Sequence, residues 1–433
     1  MRRNTKTKAT LALAGLSGLL MGTTMDCSVP LCDERPGDPR CTADGGTSAD
    51  LALTTTRLSK NGGRVSITAK VATGTAVKLV LPGNLEVGCT VDASGSGSCD
   101  VSMAQLAAVT PGQISVTLKA ADKSLSAKLR IFQPPTFMDA AGMKATLSTG
   151  ARQPSWVQVA KGHVFSGEDS TTSRRIGEYT ITGTTFQGVT NPREPFVNTM
   201  PLTTMLDVSE AQAVRATLNG AMFSLENADL SATVDTYTSF KMLNLTKVNW
   251  VGANRDSTVV AVAGEGTDGP LKAFTLPTPG QTNSNAVTLS GATAKAVTRV
   301  AVGKLTDTSG PDVVAAHADG ASVFLQKAGT ANPALDQTLS TMVGSKLIGP
   351  GLSAMALGDI DRDGLDDIVA VQGASIIVLS IDGTTVTSTP VLSNLPQTVD
   401  AAAVGDVSGD GKPDLVIGQK AGALLTVFIN QAP

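Results

Sequence analysis

Aromatic side chains are scarce in this 433-residue chain, with Phe, Tyr and Trp together at 3% and only two Trp and two Tyr. That is too few for a surface that stacks sugar rings, so Trp156 and Trp250 are assigned to core packing. Charged residues are also few, at 16%, no basic block stands out and the net charge is −3. These features argue against a nucleic-acid partner. The two histidines, His163 and His317, lie outside any H-E-x-x-H pattern and have no third His to join. Both read as structural residues. Neither Gly-Lys pair is followed by Ser or Thr, which removes a phosphate-binding P-loop. No C-x-x-C spacing occurs, which removes zinc and thioredoxin chemistry. No internal apolar run is long enough for a transmembrane helix.

What the chain does contain is Gly, Ala, Ser, Thr and Val, with 44 Gly and 41% hydrophobic residues. This mixture suits an all-β protein of short strands and tight turns. The start reads as an export signal over residues 1–24. Arg2, Arg3, Lys6 and Lys8 precede an apolar stretch of 14 residues, Ala9 to Gly22, a length that suits a signal core better than a membrane span. Residues 25–48, rich in Pro, Gly, Asp and Cys, read as a tether. The expected location is outside the cytoplasm, secreted or anchored at a bacterial cell envelope.

Five cysteines leave one over. Cys89 and Cys99 flank a turn-rich segment and are expected to form a disulfide across a hairpin. Cys27 is a candidate lipid anchor, although Asp26 stands where a lipidation motif has a small residue. The alternative is a secreted chain with Cys27 in a disulfide. All three pairings among Cys27, Cys32 and Cys41 stay open.

Residues 49–132 alternate apolar and polar side chains in Arg64–Val71, Val77–Leu81, Gln113–Ala120 and Ser124–Ile131. The two-residue period predicts half-buried strands. About seven of them predict a small immunoglobulin-like β-sandwich. Residues 136–433 repeat. Buried strands are expected to start at Ser155, Gln212, Ser257, Asp312, Asp367 and Asp414, at intervals of 57, 45, 55, 55 and 47 residues. A unit of this size predicts propeller blades, about six in number, or seven if one of the longer intervals hides a divergent blade. Too little chain follows Asp414 for a full blade, so a strand from about Thr136 to Leu147 is expected to complete the last one and leave no open edge.

The densest chemistry lies in G-D-I-D-R-D-G-L-D-D-I-V-A-V. Asp359, Asp361, Asp363 and Asp367 occupy positions 1, 3, 5 and 9 of one loop. Carboxylates this close repel one another and call for a hard cation with oxygen ligands, Ca²⁺ above all. Gly364 at position 6 permits a sharp turn that would let the Leu365 carbonyl face inward. A near copy holds Asp406, Ser408, Asp410 and Asp414, with Gly411 and the Lys412 carbonyl in the corresponding places. Its hydroxyl in place of a carboxylate predicts weaker binding. Position 12 is Ala370 or Ile417, so neither loop is an EF-hand.

These two stretches, A-L-G-D-I-D-R-D-G-L-D-D-I-V-A-V and V-G-D-V-S-G-D-G-K-P-D-L-V-I-G, resemble the FG-GAP/VCBS repeat of integrin-α-like propellers. The resemblance implies Ca²⁺ in loops between neighbouring strands of a blade, at two sites. One would be held by Asp359, Asp361, Asp363, Leu365 and Asp367. The other would be held by Asp406, Ser408, Asp410, Lys412 and Asp414. In the preceding repeat Lys304 holds position 1, and its ammonium is expected to stand in the ion's place. The expected function is non-enzymatic binding or scaffolding outside the cell, with a protein or glycan at a propeller face. The alternatives are a polysaccharide-cleaving enzyme and a purely architectural envelope protein.

Overall fold

The computed structural model describes residues 50–147, 152–169, 174–189, 205–208, 212–219, 222–229, 238–243, 245–254, 259–266, 271–275, 286–289, 297–308, 310–327, 333–347, 352–383 and 385–433. The expectations for the export signal, the tether, Cys27, Cys32, Cys41 and Ser257 lie outside the described residues.

Alternation builds the first part. Strands β1 (Leu51–Leu53), β2 (Arg57–Ser59), β3 (Gly62–Ala69), β4 (Val77–Leu81), β5 (Leu85–Val91), β6 (Ser96–Ser102), β7 (Gly112–Ala120) and β8 (Lys123–Phe132) bury every second side chain where the period is clean. Val65, Ile67 and Ala69 point inward from β3, and Val116, Leu118 and Ala120 from β7. All eight strands feed one core, so the sheet curls around it. The hydrogen bonds link them as a single sheet in the order β1-β3-β6-β5-β4-β7-β8-β2. This departs from the expected two-sheet, seven-strand sandwich. The extra strand is the short β2, which adds to β8 in parallel. Truncating fully buried Leu79 to Ala would cost about 2–5 kcal/mol. Cys89 and Cys99 face each other on β5 and β6 and are disulfide-bonded, as the hairpin reading anticipates.

The rest is a propeller-like arrangement. Strand β9 (Phe137–Thr146) comes first in the chain but belongs to the last sheet. Then follow β10–β13 (Gln153–Ala160, His163–Asp169, Arg174–Thr182, Thr185–Gly188) and β14–β17 (Met205–Val208, Gln212–Asn219, Met222–Asp229, Thr238–Leu243). Next are β18–β21 (Leu245–Ala253, Val259–Gly266, Leu271–Thr275, Ala286–Thr288) and β22–β25 (Val297–Gly303, Asp312–His317, Gly320–Leu325, Ala334–Asp336). The series ends with β26–β29 (Leu352–Gly358, Asp367–Gln372, Ser375–Asp382, Thr385–Leu392) and β30–β32 (Ala401–Gly405, Asp414–Gln419, Leu424–Asn430). The described residues thus form six antiparallel four-stranded sheets, and β9 completes the last by pairing with β32.

Second strands here do not alternate: β23, β27 and β31 are buried over nearly their whole length. Their runs of Val, Ile and Ala are continuous because a neighbouring sheet covers each face. One core joins the third and fourth sheets, one the fourth and fifth, and one the fifth and sixth. A further core joins Val157, Val164 and Tyr179 of the first sheet to Ala403, Val416 and Val427 of the sixth. That approach is close. A Cβ on Gly405 would meet the Val159 side chain at 2.5 Å, so the position needs glycine.

One repeat position needs correction. The strand equivalent to Asp414 in the first sheet is β11, starting at His163, and not the one containing Ser155, which lies on first strand β10. β11 buries polar Ser166 and Glu168 while β10 carries the apolar Trp156, Val157 and Val159, so the apolar pattern points to the wrong strand. Second strands now start at 163, 212, 259, 312, 367 and 414, at intervals of 49, 47, 53, 55 and 47 residues. The interval from 312 to 367 is long because helix α1 (Gln337–Leu347) lies in it. Asp336 caps the helix by accepting from the Leu339 amide at 2.8 Å, and Leu339, Val343 and Leu347 enter the core between the fourth and fifth sheets. Among the described residues no helix is long and apolar enough to cross a membrane.

Candidate metal centre

Each acidic loop joins the first strand of a sheet to the second. Three such loops are described: Lys304–Asp312, Asp359–Asp367 and Asp406–Asp414. Their last Asp does the same work in all three. Asp312 Oδ2 accepts from the Leu305 and Thr306 amides at 2.9 and 3.1 Å, and its Oδ1 accepts from Gln326 N at 2.8 Å. Asp414 Oδ2 accepts from Val407 N and Ser408 N at 2.9 and 2.8 Å, and its Oδ1 from Asn430 N at 2.9 Å. Asp367 Oδ2 accepts from Ile360 N at 3.2 Å, and its Oδ1 from the Ser380 hydroxyl at 2.5 Å. This carboxylate pins the loop to the third strand whether or not the loop is acidic elsewhere.

Two more bonds recur in the acidic pair. The position-6 glycine amide donates to the position-1 carboxylate, Gly364 to Asp359 at 3.0 Å and Gly411 to Asp406 at 2.9 Å. The position-7 amide donates to the position-5 carboxylate, Leu365 to Asp363 and Lys412 to Asp410, both at 2.9 Å. Gly364 and Gly411 have φ of 90° and 79°, the left-handed turn that glycine takes without strain.

The loops then part. Asp359, Asp361 and Asp363 bring one carboxylate oxygen each to within 4.8 Å of one another. Asp361 and Asp363 are buried. Asp359 Oδ1 and Asp361 Oδ1 are buried and accept no hydrogen bond. A buried carboxylate oxygen without a partner costs about 1–3 kcal/mol or more, so two of them within one carboxylate cluster describe a place for a cation. The all-oxygen donor set fits a hard divalent ion. Burial pushes the Asp359 carboxyl up to about 6, with the Asp363 charge adding to it. Burial pushes the Asp361 carboxyl up to about 7 against the pull of the Arg57 guanidinium. Burial first, and the Asp361 charge second, hold Asp367 well above the usual carboxylate range.

The second loop satisfies itself. Asp406 Oδ1 accepts from Gly409 N at 2.7 Å, and the Lys412 ammonium stands 3.7 Å from Asp410. Among the described residues its carboxylates form no cluster of three like that of the first loop. In the third loop Lys304 at position 1 is exposed. Thr306 and Thr308 bond each other in that loop at 2.8 Å. The Lys304 amide and carbonyl bridge to Asp366 of the next sheet, each at 2.6 Å.

Sequence reasoning missed the basic residues at the first loop. Arg57 of β2 donates from Nε to Asp363 Oδ2 at 2.9 Å and from Nη2 to Asp361 Oδ2. Arg130 of β8, itself buried, donates to the Asp363 carbonyl at 2.5 Å and to Asp307 Oδ2 at 2.6 Å. Burial opposes the Arg57 charge, but Asp361, Asp363 and Asp367 outweigh it and hold its pKa above the ordinary value. No local signal marks these arginines: Leu129, Arg130 and Ile131 keep the apolar-polar-apolar period, and only the structure shows all three buried.

The two histidines and two tryptophans sit as structural residues do. His317 Nε2 lies 3.3 Å from the Ser322 hydroxyl, and His163 Nδ1 lies 2.8 Å from Glu178. Trp156 is buried on β10, and Trp250 on β18 packs against the core between the third and fourth sheets.

Comparisons with known proteins agree with this part of the chain. Residues 359–417 match the family model described as FG-GAP-like repeat. No curated protein matches. Among solved structures, a chain of the mitotic checkpoint complex is similar with a TM-score of 0.39 and 10% identity, over 95% of this chain and 99% of that one. Saccharomyces cerevisiae Sqt1 is similar with a TM-score of 0.36 and 7% identity, over 69% of this chain and 100% of its own. Scores this low bear on neither fold nor function. Residues 359–417 are thus similar to an FG-GAP-like repeat and lie in a propeller-like array of four-stranded sheets.

Proposed function

We propose that this protein is a non-enzymatic, calcium-braced propeller that serves binding or scaffolding outside the cytoplasm. The six sheets are read as six blades of a closed ring, supported by β9 in the last sheet and by the core shared between the sixth and first. The domain reading follows: 1–24 an export signal, 25–48 a tether, 49–132 an N-terminal β-domain and 136–433 the propeller. Secretion or anchoring at a bacterial envelope, with Cys27 as the lipid candidate, completes it. A protein or a glycan would bind at a propeller face.

One observation carries the calcium reading: Asp359 and Asp361 each keep a buried carboxylate oxygen without a partner inside a cluster of three carboxylates. Asp359, Asp361, Asp363 and Asp367, with the Leu365 carbonyl, would hold the stronger ion. Asp406, Ser408, Asp410 and Asp414, with the Lys412 carbonyl, would hold the weaker. The ion supplies positive charge where carboxylates crowd, and the chain supplies the frame. Asp367 and Asp414 fix each loop to its third strand, and Gly364 and Gly411 turn it. At free Ca²⁺ about 100 times the dissociation constant, each site would add about 2.7 kcal/mol to folding. A chelator is expected to lower the melting temperature, and Asp363→Ala to remove most of that sensitivity. An identical melting curve with and without chelator overturns the calcium reading. New reducing ends released from a polysaccharide would overturn the non-enzymatic one.

A further inference from the structure

Arg57 and the first acidic loop lie 306 and 304 residues apart in sequence at their two contacts, yet their side chains are almost sealed from solvent. Arg57 is 12% exposed, and Asp361 and Asp363 are 4% exposed. The Phe132 ring backs the guanidinium at 4.3 Å. The backbone of the same loop is held too. The Gln133 amide donates to the Asp361 carbonyl at 2.7 Å, and Arg130 holds the Asp363 carbonyl. Nothing of this kind touches the second loop among its described contacts, where the only basic partner is the loop's own Lys412.

The division of oxygens is informative. Arg57 takes Oδ2 of Asp361 and Oδ2 of Asp363. It leaves Asp361 Oδ1 buried and without a hydrogen bond, as Asp359 Oδ1 is. A guanidinium that stood in for the ion would engage these idle oxygens. This one engages the other edge of the carboxylates, as outer partners of metal ligands do. Four carboxylates also carry more charge than one divalent ion balances, which leaves room for a further cation.

We propose that Arg57 is a positioning residue of the first cation site: it orients Asp361 and Asp363 from outside, and so couples ion occupancy to the seating of the N-terminal sheet on the loop. The proposal rests on the calcium reading of that loop. Coupling is reciprocal. Calcium seats β2 and the end of β8 more firmly, and the seated arginine tightens calcium. The second loop, lacking such a partner, is an internal control.

The test titrates the full chain with Ca²⁺ by calorimetry, with the two sites assigned through Asp363→Ala and Asp410→Ala. In Arg57→Gln the first site is expected to weaken about 10–100-fold, with the second unchanged. Arg57→Lys, which keeps the charge but loses the two-pronged grip, should fall between. Hydrogen exchange at the Gln133 amide should slow on adding Ca²⁺ in the native protein and ignore Ca²⁺ in Arg57→Gln. First-site affinity that is equal or tighter in Arg57→Gln overturns the coupling while leaving the calcium reading intact. A native protein that binds no Ca²⁺ at either loop overturns both. If Arg57→Gln loses the second site as well, the variant has lost its fold and Arg57→Lys decides alone. A several-fold weaker first site supports the coupling, and an unchanged one overturns it.

Discussion

The loops Asp359–Asp367 and Asp406–Asp414 share one hydrogen-bonded frame, but only the first gathers its carboxylates around idle oxygens. Two differences separate them. Position 3 is Asp361 in one and Ser408 in the other. The first loop alone lies under the arginines of the N-terminal sheet. The loop Lys304–Asp312 sharpens the lesson. It has no carboxylate at positions 1, 3 or 5, yet Asp312 braces it as Asp367 and Asp414 brace theirs. The last aspartate therefore belongs to the fold, and the earlier three belong to the charge.

The largest effect should come from removing that brace. Asp312→Ala, Asp367→Ala and Asp414→Ala each strand backbone or hydroxyl donors in the interior, at about 1–3 kcal/mol apiece. Each variant should lose about 3–5 kcal/mol in urea unfolding, the Lys304–Asp312 loop no less than the others. A mild Asp312→Ala would break the claim that the brace is independent of the ion.

Acidity gives the next test. Burial raises the Asp312 carboxyl from 3.8 to about 6. Between those values the folded state holds a proton that the unfolded state has released. Its stabilisation is complete below pH 3.8 and is lost as pH rises through 6, a fall of about 3 kcal/mol. Without calcium, Asp359 and Asp361 push in the same direction. Urea midpoints measured in chelator should therefore drop from pH 4 to pH 7, and Asp312→Asn should shed its share of the slope. A flat profile would refute the assignment.

The smallest effect concerns position 4. Both loops turn left-handed there, at Arg362 with φ 62° and at Gly409 with φ 78°. A side chain costs about 1–2 kcal/mol in that conformation. Gly409→Ala should destabilise by about 1 kcal/mol, and Arg362→Gly should leave stability unchanged or raise it by less than that. Thermal melts of both variants decide this, and a neutral Gly409→Ala would show that the two turns are not equivalent.

Much of this was readable beforehand. The acidic spacing located both loops and the strands that follow them. The shortage of chain after Asp414 called for a strand near 136–147, and β9 fills that place. The facing pair Cys89 and Cys99 could be read from a turn. What escaped notice had weak or non-local signals. Ser155 points to the wrong strand of its sheet because β11 buries polar residues and β10 looks the more apolar. The spacing of Leu339, Val343 and Leu347 after Asp336 does mark a helix, but it is one short element inside a strand-rich repeat. Strand β2 is only three residues long, below the length at which a two-residue period can be recognised.

By itself, the order of residues determined local geometry: which segments extend, where the chain turns left-handed and where negative charge crowds. Those follow from side-chain period, glycine and Coulomb repulsion within a few residues. The tertiary structure decided which faces cover each strand, why Gly405 must lack a side chain, and that Arg57 meets Asp361 and Asp363. These depend on segments brought together from opposite ends of the chain, and no short window of sequence contains both members of such a pair.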